Sequence, residues 1–97
     1  MNKEICSAIE CRSIIQFYYD GGIRYVEPYC HGVSRANNEV LRAYQIKGFS
    51  RSGQPSGWKL FEISKIINLQ QTGDSFLSNR IGYNPNDQDF IMIHCHV

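Results

Sequence analysis

Three cationic side chains lie beside aromatic residues in the sequence, and such pairs suit the binding of a ligand. The pairs are Arg24 with Tyr25, Arg42 with Tyr44, and Lys59 with Trp58. A guanidinium binds phosphate through two parallel hydrogen bonds, and aromatic rings stack on nucleobases. The pattern therefore predicts a site in which the three cations bind phosphates while Tyr44 and Trp58 stack on a base. The alternative is a set of solvated strand faces beside an ordinary aromatic core.

Two further residues belong to the predicted ligand-binding set. Gln45 is interpreted either as a reader of a base edge or as an exposed strand residue. Arg51 lies in a glycine- and serine-rich stretch, residues 50–57, whose hydroxyls and backbone amides suit an anion nest or a flap over a ligand. A connector without function is the alternative for this stretch. Glu27 is interpreted as a salt-bridge partner of one of the three cations rather than as a catalytic carboxylate.

Cysteine and histidine occur together twice, as Cys30-His31 and as residues 94–96, His-Cys-His. These are metal-ligand types, but their spacing matches no zinc template. A cysteine–histidine nucleophilic pair lacks a motif that would position a base, an orienting group and an oxyanion hole. We therefore predict no metal, no cofactor and no enzyme activity. Residues 79–87 are rich in turn formers and are interpreted as plain loop, or as a segment in which Arg80 and Tyr83 complete a pocket or a subunit contact.

The elements that must position these residues are one helix and several short strands. Asn2 is a suitable cap for a helix over about residues 2–13. Asp20-Gly21-Gly22 predicts a tight hairpin, and Pro28 is expected at a strand end or a bulge. Strands are predicted at 14–19, 23–28, 30–34, 39–47, 58–63, 66–69 and 90–94, with either a tight bend or a bulged continuation of the strand at Ser64-Lys65 and polar loop at 73–89.

A helix followed by five or six short antiparallel strands predicts a mainly β (α+β) fold. We expect a small, strongly bent sheet that closes into an Sm- or SH3-like β-barrel. The barrel is assigned to about residues 14–70, and a loop with a closing strand to about 71–97. In strand 39–47, the alternation of Leu41, Ala43 and Gln45 with their neighbours predicts one buried and one exposed face.

Length and charge limit the classes of protein to consider. The chain has 97 residues and a net charge of +1, which predicts one domain over residues 1–97 without a global basic field. It has no apolar stretch of the length that a membrane helix requires and no signal-peptide pattern, and its four cysteines are interpreted as free, mostly buried thiols. We therefore expect a cytoplasmic protein without a membrane partner.

Three segments resemble the WYL domain family. Residues 24–29, RYVEPY, are similar to its RxVEPY segment, and residues 39–44, EVLRAY, align with the segment that gives the family its name. Glu39 and Val40 replace the Trp and Tyr of that name, and Leu41 remains. Residues 59–66, KLFEISKI, resemble the closing stretch of the family, with lysines where arginines are common. The resemblance covers roughly residues 5–70.

The resemblance implies a sensory function. WYL domains are similar to Sm/SH3 barrels, accompany DNA-binding domains in bacterial regulators or occur in phage-defence proteins, and are thought to bind nucleotides or nucleic acid in a basic pocket. We expect a stand-alone, non-catalytic binder of a small anionic, nucleotide-like ligand that acts in regulation or phage defence or counter-defence. Its output would pass through a partner protein or through sequestration of the ligand. The alternatives are a single-stranded nucleic-acid-binding module and a protein-interaction module, and a homo-oligomer is expected.

Overall fold

The computed structural model describes all 97 residues of the chain. It contains one helix and six strands. In chain order they are α1 (Lys3–Glu10), β1 (Ser13–Tyr19), β2 (Gly22–Ser34), β3 (Glu39–Gly48), β4 (Gly57–Glu62), a 3-10 turn (Ile63–Lys65), β5 (Ile67–Ser75) and β6 (Phe90–His96). The predicted fold class is confirmed: the protein is mainly β with an N-terminal helix and has a barrel-like, six-stranded antiparallel sheet.

The helix begins where the sequence predicts. The side chain of Asn2 accepts a hydrogen bond of 3.0 Å from the backbone N–H of Ile5 and so satisfies one of the free amides of the first turn. The helix ends earlier than expected, at Glu10, because Arg12 adopts a left-handed conformation with φ 51°. Its apolar side is buried against the sheet.

The hairpin between β1 and β2 is confirmed. Tyr19 pairs with Gly22, and the two intervening residues, Asp20 and Gly21, have φ values of 47° and 109°. Two consecutive positive φ values are typical of the two-residue turn whose twist matches that of the strands. Aspartate and glycine are the residue types that this turn favours.

Strand β2 is the longest element and the centre of the sheet. The strands are ordered β4-β3-β2-β1-β5, and β6 pairs with the second half of β2. The sequence predicted separate strands at 23–28 and 30–34, but β2 runs through both. Pro28 was expected at a strand end or a bulge, and it lies at a bulge, where the register shifts between Pro28 and Cys30.

Strand β5 is longer than expected. It extends to Ser75, because Ser13, Ile15 and Gln16 of β1 provide antiparallel pairing partners for residues 70–75. The predicted bend at Ser64-Lys65 is a 3-10 turn. The predicted closing strand is β6, which extends to His96.

The main core lies between α1 and the concave face of the sheet, which we call the core face. It consists of nine buried residues: Ile5, Ala8, Ile9, Ile15, Phe17, Val26, Leu41, Ala43 and Phe61. Their side chains come from the helix and from β1 to β4. The segment between β5 and β6, residues 76–89, covers part of the opposite face, which we call the outer face.

The cysteines correct one prediction. Cys6 of α1 and Cys95 of β6 form a disulfide, with their Cα atoms 5.7 Å apart, so only Cys11 and Cys30 are free. The spacing gave no sign of this pair because 89 positions separate its members. The disulfide also removes the cysteine-based argument for a reducing compartment. No helix has the length and apolarity needed to cross a membrane.

Candidate functional site

The predicted site residues lie on two opposite faces of the sheet. Side chains alternate along a strand, and directly paired residues on neighbouring strands share a face. Lys59 pairs with Ala43 of the core face, whereas Trp58 pairs with Tyr44 on the outer face. Arg42 is two residues from Tyr44 and therefore also belongs to the outer face. The structure thus separates Lys59 from Arg42.

Arg24 is enclosed on the core face. It is only 5% exposed, and it donates hydrogen bonds to the backbone oxygen of Tyr19 (3.2 Å) and to Oε1 of Gln45 (3.3 Å). The rings of Tyr19, Phe49 and Phe61 lie 5.4, 5.4 and 5.8 Å from its guanidinium carbon. Burial lowers the pKa of Arg24. This cation is held by the protein's own rings and is not presented to a phosphate.

Gln45 supports this enclosure. Its side chain is fully buried, so the expectation of an exposed strand residue is wrong. The amide oxygen accepts from Arg24, and the amide nitrogen donates to the backbone oxygen of Phe49 at 2.8 Å. Both ends of the amide are therefore engaged, which leaves neither end for reading a base edge.

Two more of the predicted cations, Lys59 and Arg51, make contacts that involve the loop between β3 and β4. Nζ of Lys59 donates to the backbone oxygen of Gln54 (2.8 Å) and to Oγ of Ser50 (3.3 Å). Arg51 forms an exposed ion pair with Asp20, at 2.9 Å. Both cations are therefore already engaged by groups of the protein itself.

The outer face carries a layer of aromatic residues. Its members are Tyr29, Tyr44, Trp58, Phe76 and Tyr83. The rings of Tyr29 and Trp58 are 4.8 Å apart, those of Tyr29 and Tyr83 are 5.3 Å apart, and those of Tyr44 and Trp58 are 5.4 Å apart. Phe76 and Tyr83 come from the segment 76–89, so this segment is packed onto the sheet.

Polar contacts fix the same segment to β2 and β4. The guanidinium of Arg80 donates two hydrogen bonds, of 3.0 and 3.1 Å, to the buried carboxylate of Glu27. Tyr29 donates its hydroxyl hydrogen to Glu27 and accepts from the backbone N–H of Arg80. Nε1 of Trp58 donates to the backbone oxygen of Ile81 at 3.0 Å. Glu27 is therefore a salt-bridge partner, as predicted, but its partner is Arg80 and not a cation of the predicted set.

Arg42 pairs with the end of the segment. Its Nε lies 2.8 Å from Asp87, and its Nη2 contacts Asp89. Burial alone would lower the pKa of Arg42 and raise that of Asp87, but the hydrogen bond between them raises the first and lowers the second. Both groups therefore stay charged at neutral pH. Asp89 is 61% exposed and is the more easily replaced of the two carboxylates.

A cavity of about 240 Å³ lies between the outer face and this segment. It is lined by Cys30, Arg42, Trp58, Gly82, Tyr83, Asn84 and Asp87. Gly82 has φ 93°, and a Cβ atom there would come within 2.9 Å of Trp58 Nε1, so only glycine fits this backbone against the indole. The cavity presents two aromatic rings, an amide, a thiol and an arginine–aspartate pair.

The protonation states of the lining suit hydrogen bonding rather than nucleophilic chemistry. Burial raises the pKa of the Cys30 thiol to about 11 and also raises that of the Tyr83 hydroxyl. Both groups are therefore protonated at neutral pH, and a protonated thiol is a poor nucleophile. The cavity lining contains no histidine that would act as a base toward Cys30.

The structure brings together only part of the predicted set. Arg42 and Trp58 line the cavity, Tyr44 packs beside it against the ring of Trp58, and the other predicted residues lie elsewhere. Sequence reasoning missed Asn84 and Asp87 and left open whether Tyr83 belongs to a pocket. Residues 84–87 are turn formers, and this local chemistry gives no sign of a contact with a ligand. The signal available in the sequence was Tyr83, an aromatic residue between Gly82 and Asn84 in a segment of turn formers, which could have indicated a pocket.

Comparison with protein-family models, with curated proteins and with solved structures finds no match. The resemblance to WYL domains therefore stays a prediction that rests on the sequence segments described above.

Proposed function

We propose that the protein is a non-catalytic binding module for a small, nucleotide-like ligand and that the cavity beside Trp58 receives its base. The cavity carries this proposal, because it combines aromatic rings with convergent polar groups. Its volume of about 240 Å³ is below the roughly 300–1,000 Å³ of pockets for drug-sized ligands. It therefore suits one heterocyclic ring system better than a whole dinucleotide.

The polar groups suit the edge of a nucleobase. Asn84 has an amide that can donate and accept, Asp87 accepts, and Tyr83 and Cys30 carry donor hydrogens. The rings of Trp58 and Tyr83 supply the apolar faces on which such a base stacks. A ring with both donors and acceptors on its edge satisfies this lining better than an aliphatic ligand would.

Arg42 is the one predicted cation available for an anionic substituent. Asp89 is exposed and contacts Arg42, which lines the cavity, so a ligand phosphate or carboxylate can replace Asp89 while Asp87 stays in place. Arg24, Lys59 and Arg51 do not line the cavity. The proposed site therefore binds at most one anionic group directly.

The test uses the only tryptophan of the chain, since Trp58 lines the cavity and reports on it directly. Its fluorescence is titrated with the common nucleobases, nucleosides and mononucleotides and with single-stranded oligonucleotides. We expect saturable quenching by at least one monomeric ligand. A response confined to oligonucleotides, which weakens steeply with salt, would instead support the single-stranded nucleic-acid alternative.

A matched pair of variants locates the binding. In Asn84→Asp, the retained oxygen still accepts from the N–H of Asn86, but the amide donor is lost. Asn86→Asp makes the same change of charge on the same turn without altering the cavity lining. Binding should weaken in the first variant and persist in the second. Equal effects of the two, or no ligand in the panel, would contradict the proposal.

We also propose that the chain self-associates through β6. This strand pairs only with β2, so its other edge has free backbone groups, and Ile91, Met92 and Ile93 are exposed along it. Two copies can join these edges as antiparallel partners around a two-fold axis. Light scattering over a range of concentrations should show a dimer that Ile91→Lys, on that strand, converts to monomer. A monomer at every concentration would contradict this.

A further inference from the structure

Two histidines and a glutamate meet at the junction of β2, β3 and β6, away from the cavity. They are His31, Glu39 and His94. Nε2 of His94 lies 3.1 and 3.2 Å from the two carboxylate oxygens of Glu39, and Nε2 of His31 lies 3.6 Å from the nearer of them. One ligand atom from each residue lies within 4.8 Å of the others. The two rings are 5.1 Å apart at their centroids.

His31 is fixed as a metal ligand would be. It is fully buried, and its Nδ1 lies 2.8 Å from the backbone oxygen of Val40, which can only accept. Nδ1 therefore carries the hydrogen, and the lone pair of Nε2 accepts from the backbone N–H of Asn2, with a carboxylate oxygen of Glu39 3.6 Å away. A hydrogen bond from the distal nitrogen to a carbonyl is the usual way in which proteins orient a metal-binding histidine.

The other two side chains have room to adjust. Glu39 is the first residue of β3, and its side chain is 43% exposed, while His94 lies on the edge strand β6. Rotation of these two side chains can shorten the longest separation without moving the backbone. The backbone N–H of Asn2 now donates to Nε2 of His31 at 3.0 Å, and the Met1 amino group lies 3.7 Å from Glu39. An ion would displace these two contacts at the start of the chain.

We propose that His31, Glu39 and His94 bind Zn²⁺ or a similar first-row divalent ion. Zinc bonds to histidine nitrogen and carboxylate oxygen are about 2.0–2.2 Å long, which requires ligand atoms roughly 3.0–3.5 Å apart in a tetrahedral shell. Two of the three separations, 3.1 and 3.6 Å, are already near this range. Two imidazoles and one carboxylate form a ligand set that zinc accepts, with a remaining position for water. Such an ion would join β6 to β2 and β3.

The site explains a feature that the sequence left unassigned. His31 belongs to Cys30-His31 and His94 to the His-Cys-His tract, but neither cysteine contributes a ligand. Cys95 is in the disulfide with Cys6, and Cys30 faces the cavity. The third ligand, Glu39, comes from the strand that follows β2. No spacing rule joins these three residues, because sheet pairing alone brings them together.

The test is a Zn²⁺ titration by calorimetry on the oxidised protein after alkylation of the exposed thiol of Cys11, which would otherwise compete. The variants are His94→Ala and Glu39→Gln, whose side chains are partly exposed. His96→Ala is the matched control, because His96 lies two residues along the same strand and the hydrogen bond of its ring goes to the backbone oxygen of Val97. We expect one ion per chain, an affinity at least about tenfold lower in the first two variants, and no change in the control.

Substitution with Co²⁺ supplies a second readout that folding defects do not imitate. Visible absorption bands of a four-coordinate Co²⁺ ion should appear in the wild type and in His96→Ala, and should be lost in His94→Ala. Circular dichroism verifies that each variant is folded. Absence of binding by the wild type, or retention of wild-type affinity in both His94→Ala and Glu39→Gln, would overturn the proposal. An equal loss in His96→Ala would also overturn it, since the ion would then lie elsewhere on β6.

Discussion

The ion pair between Glu27 and Arg80 should hold the segment 76–89 on the sheet, and a double-mutant cycle tests this. The variants are Glu27→Gln, Arg80→Met and their combination. Glu27 is 5% exposed and Arg80 is 46% exposed, so one partner is desolvated and the other is still in contact with water. Removing Arg80 leaves a buried carboxylate whose remaining partner is the hydroxyl of Tyr29.

The expected size of the effect follows from this asymmetry. A hydrogen bond to a charged group contributes about 1.5–3 kcal/mol when it is well shielded. Arg80 makes two such bonds, but its exposure allows water to replace it in part. We therefore expect Arg80→Met to lower the free energy of unfolding by about 1–3 kcal/mol. The coupling energy of the pair should be about 1–2 kcal/mol, within the usual range for contacting residues.

Urea denaturation followed by two probes measures these energies. Trp58 fluorescence reports on the outer face, because Trp58 contacts Tyr83 and donates to Ile81. Far-ultraviolet circular dichroism reports on the whole sheet. If the ion pair fixes the segment, the fluorescence transition of Arg80→Met should move to lower urea than the dichroism transition.

The exposed pair between Asp20 and Arg51 is the control. Its side chains are 46% and 69% exposed, and the corresponding cycle with Asp20→Asn and Arg51→Met should give a coupling energy of at most about 0.5 kcal/mol. Asparagine tolerates the positive φ of position 20, so the turn is preserved. A coupling energy for Glu27 and Arg80 no larger than that of the control would refute the reasoning.

Three further predictions concern the cysteines and the loss of stability at acidic pH. Removing the disulfide with Cys6→Ser and Cys95→Ser together should lower the free energy of unfolding by about 2–5 kcal/mol, because the loop that the disulfide closes contains most of the chain. Urea denaturation measures this loss, and an unchanged midpoint would contradict the prediction. In native, oxidised protein at pH 8, mass spectrometry should show rapid alkylation of Cys11 alone, because burial raises the pKa of Cys30 to about 11. Rapid alkylation of both cysteines would show that the Cys30 thiol is not buried and protonated. Burial alone would raise the pKa of Asp87, but the hydrogen bond from Arg42 lowers it in the folded protein. The ionised carboxylate therefore stabilises the fold fully above the ordinary aspartate pKa near 4, and this stabilisation is lost as the pH falls through the lower pKa of the folded state. Asp87→Asn should therefore lose less stability than the wild type between pH 5 and 2, and parallel acid curves would count against this pairing.

Local chemistry in the sequence was sufficient for most of the fold. Asn2 predicted the helix cap, Asp20-Gly21-Gly22 predicted the hairpin, and Pro28 predicted a strand end or a bulge, because each acts through groups only a few residues away. The extension of β5 to Ser75 was missed, since its polar sequence becomes a strand only through pairing with β1. The disulfide between Cys6 and Cys95 was missed for the same reason: it depends on contacts between the two ends of the chain.

The candidate site was less predictable than the fold. Alternation along β3 correctly placed Gln45 on the same face as Leu41 and Ala43. The predicted site nevertheless combined Arg24, Arg42 and Lys59 without regard to the face on which each lies. The same alternation across the β3–β4 pair places Lys59 on the core face and Arg42 on the outer face. The acidic partners Asp87 and Asp89 lie far along the chain, in a loop whose path no local pattern determines. Alternation between the two faces separates Lys59 from Arg42, and long-range charge pairing places Arg42 with Asp87 and Asp89.

The bulge at Pro28 determines which side chains reach the cavity. Pro28 pairs with Ala43, and the register then shifts so that Cys30, and not Tyr29, pairs with Arg42. Tyr29 remains free to pack against the indole of Trp58 and to hold Glu27, while Cys30 faces the cavity.

The next residue shows the same effect on the other side of the sheet. His31 pairs with Leu41 of the core face and so points away from the cavity, toward Glu39 and His94. A regular strand would move every residue after Tyr29 to the opposite face, because side chains alternate with a period of two. Cys30 would then occupy the core face and His31 the outer one. One proline-induced irregularity thus positions both the cavity lining and the histidine of the proposed metal site.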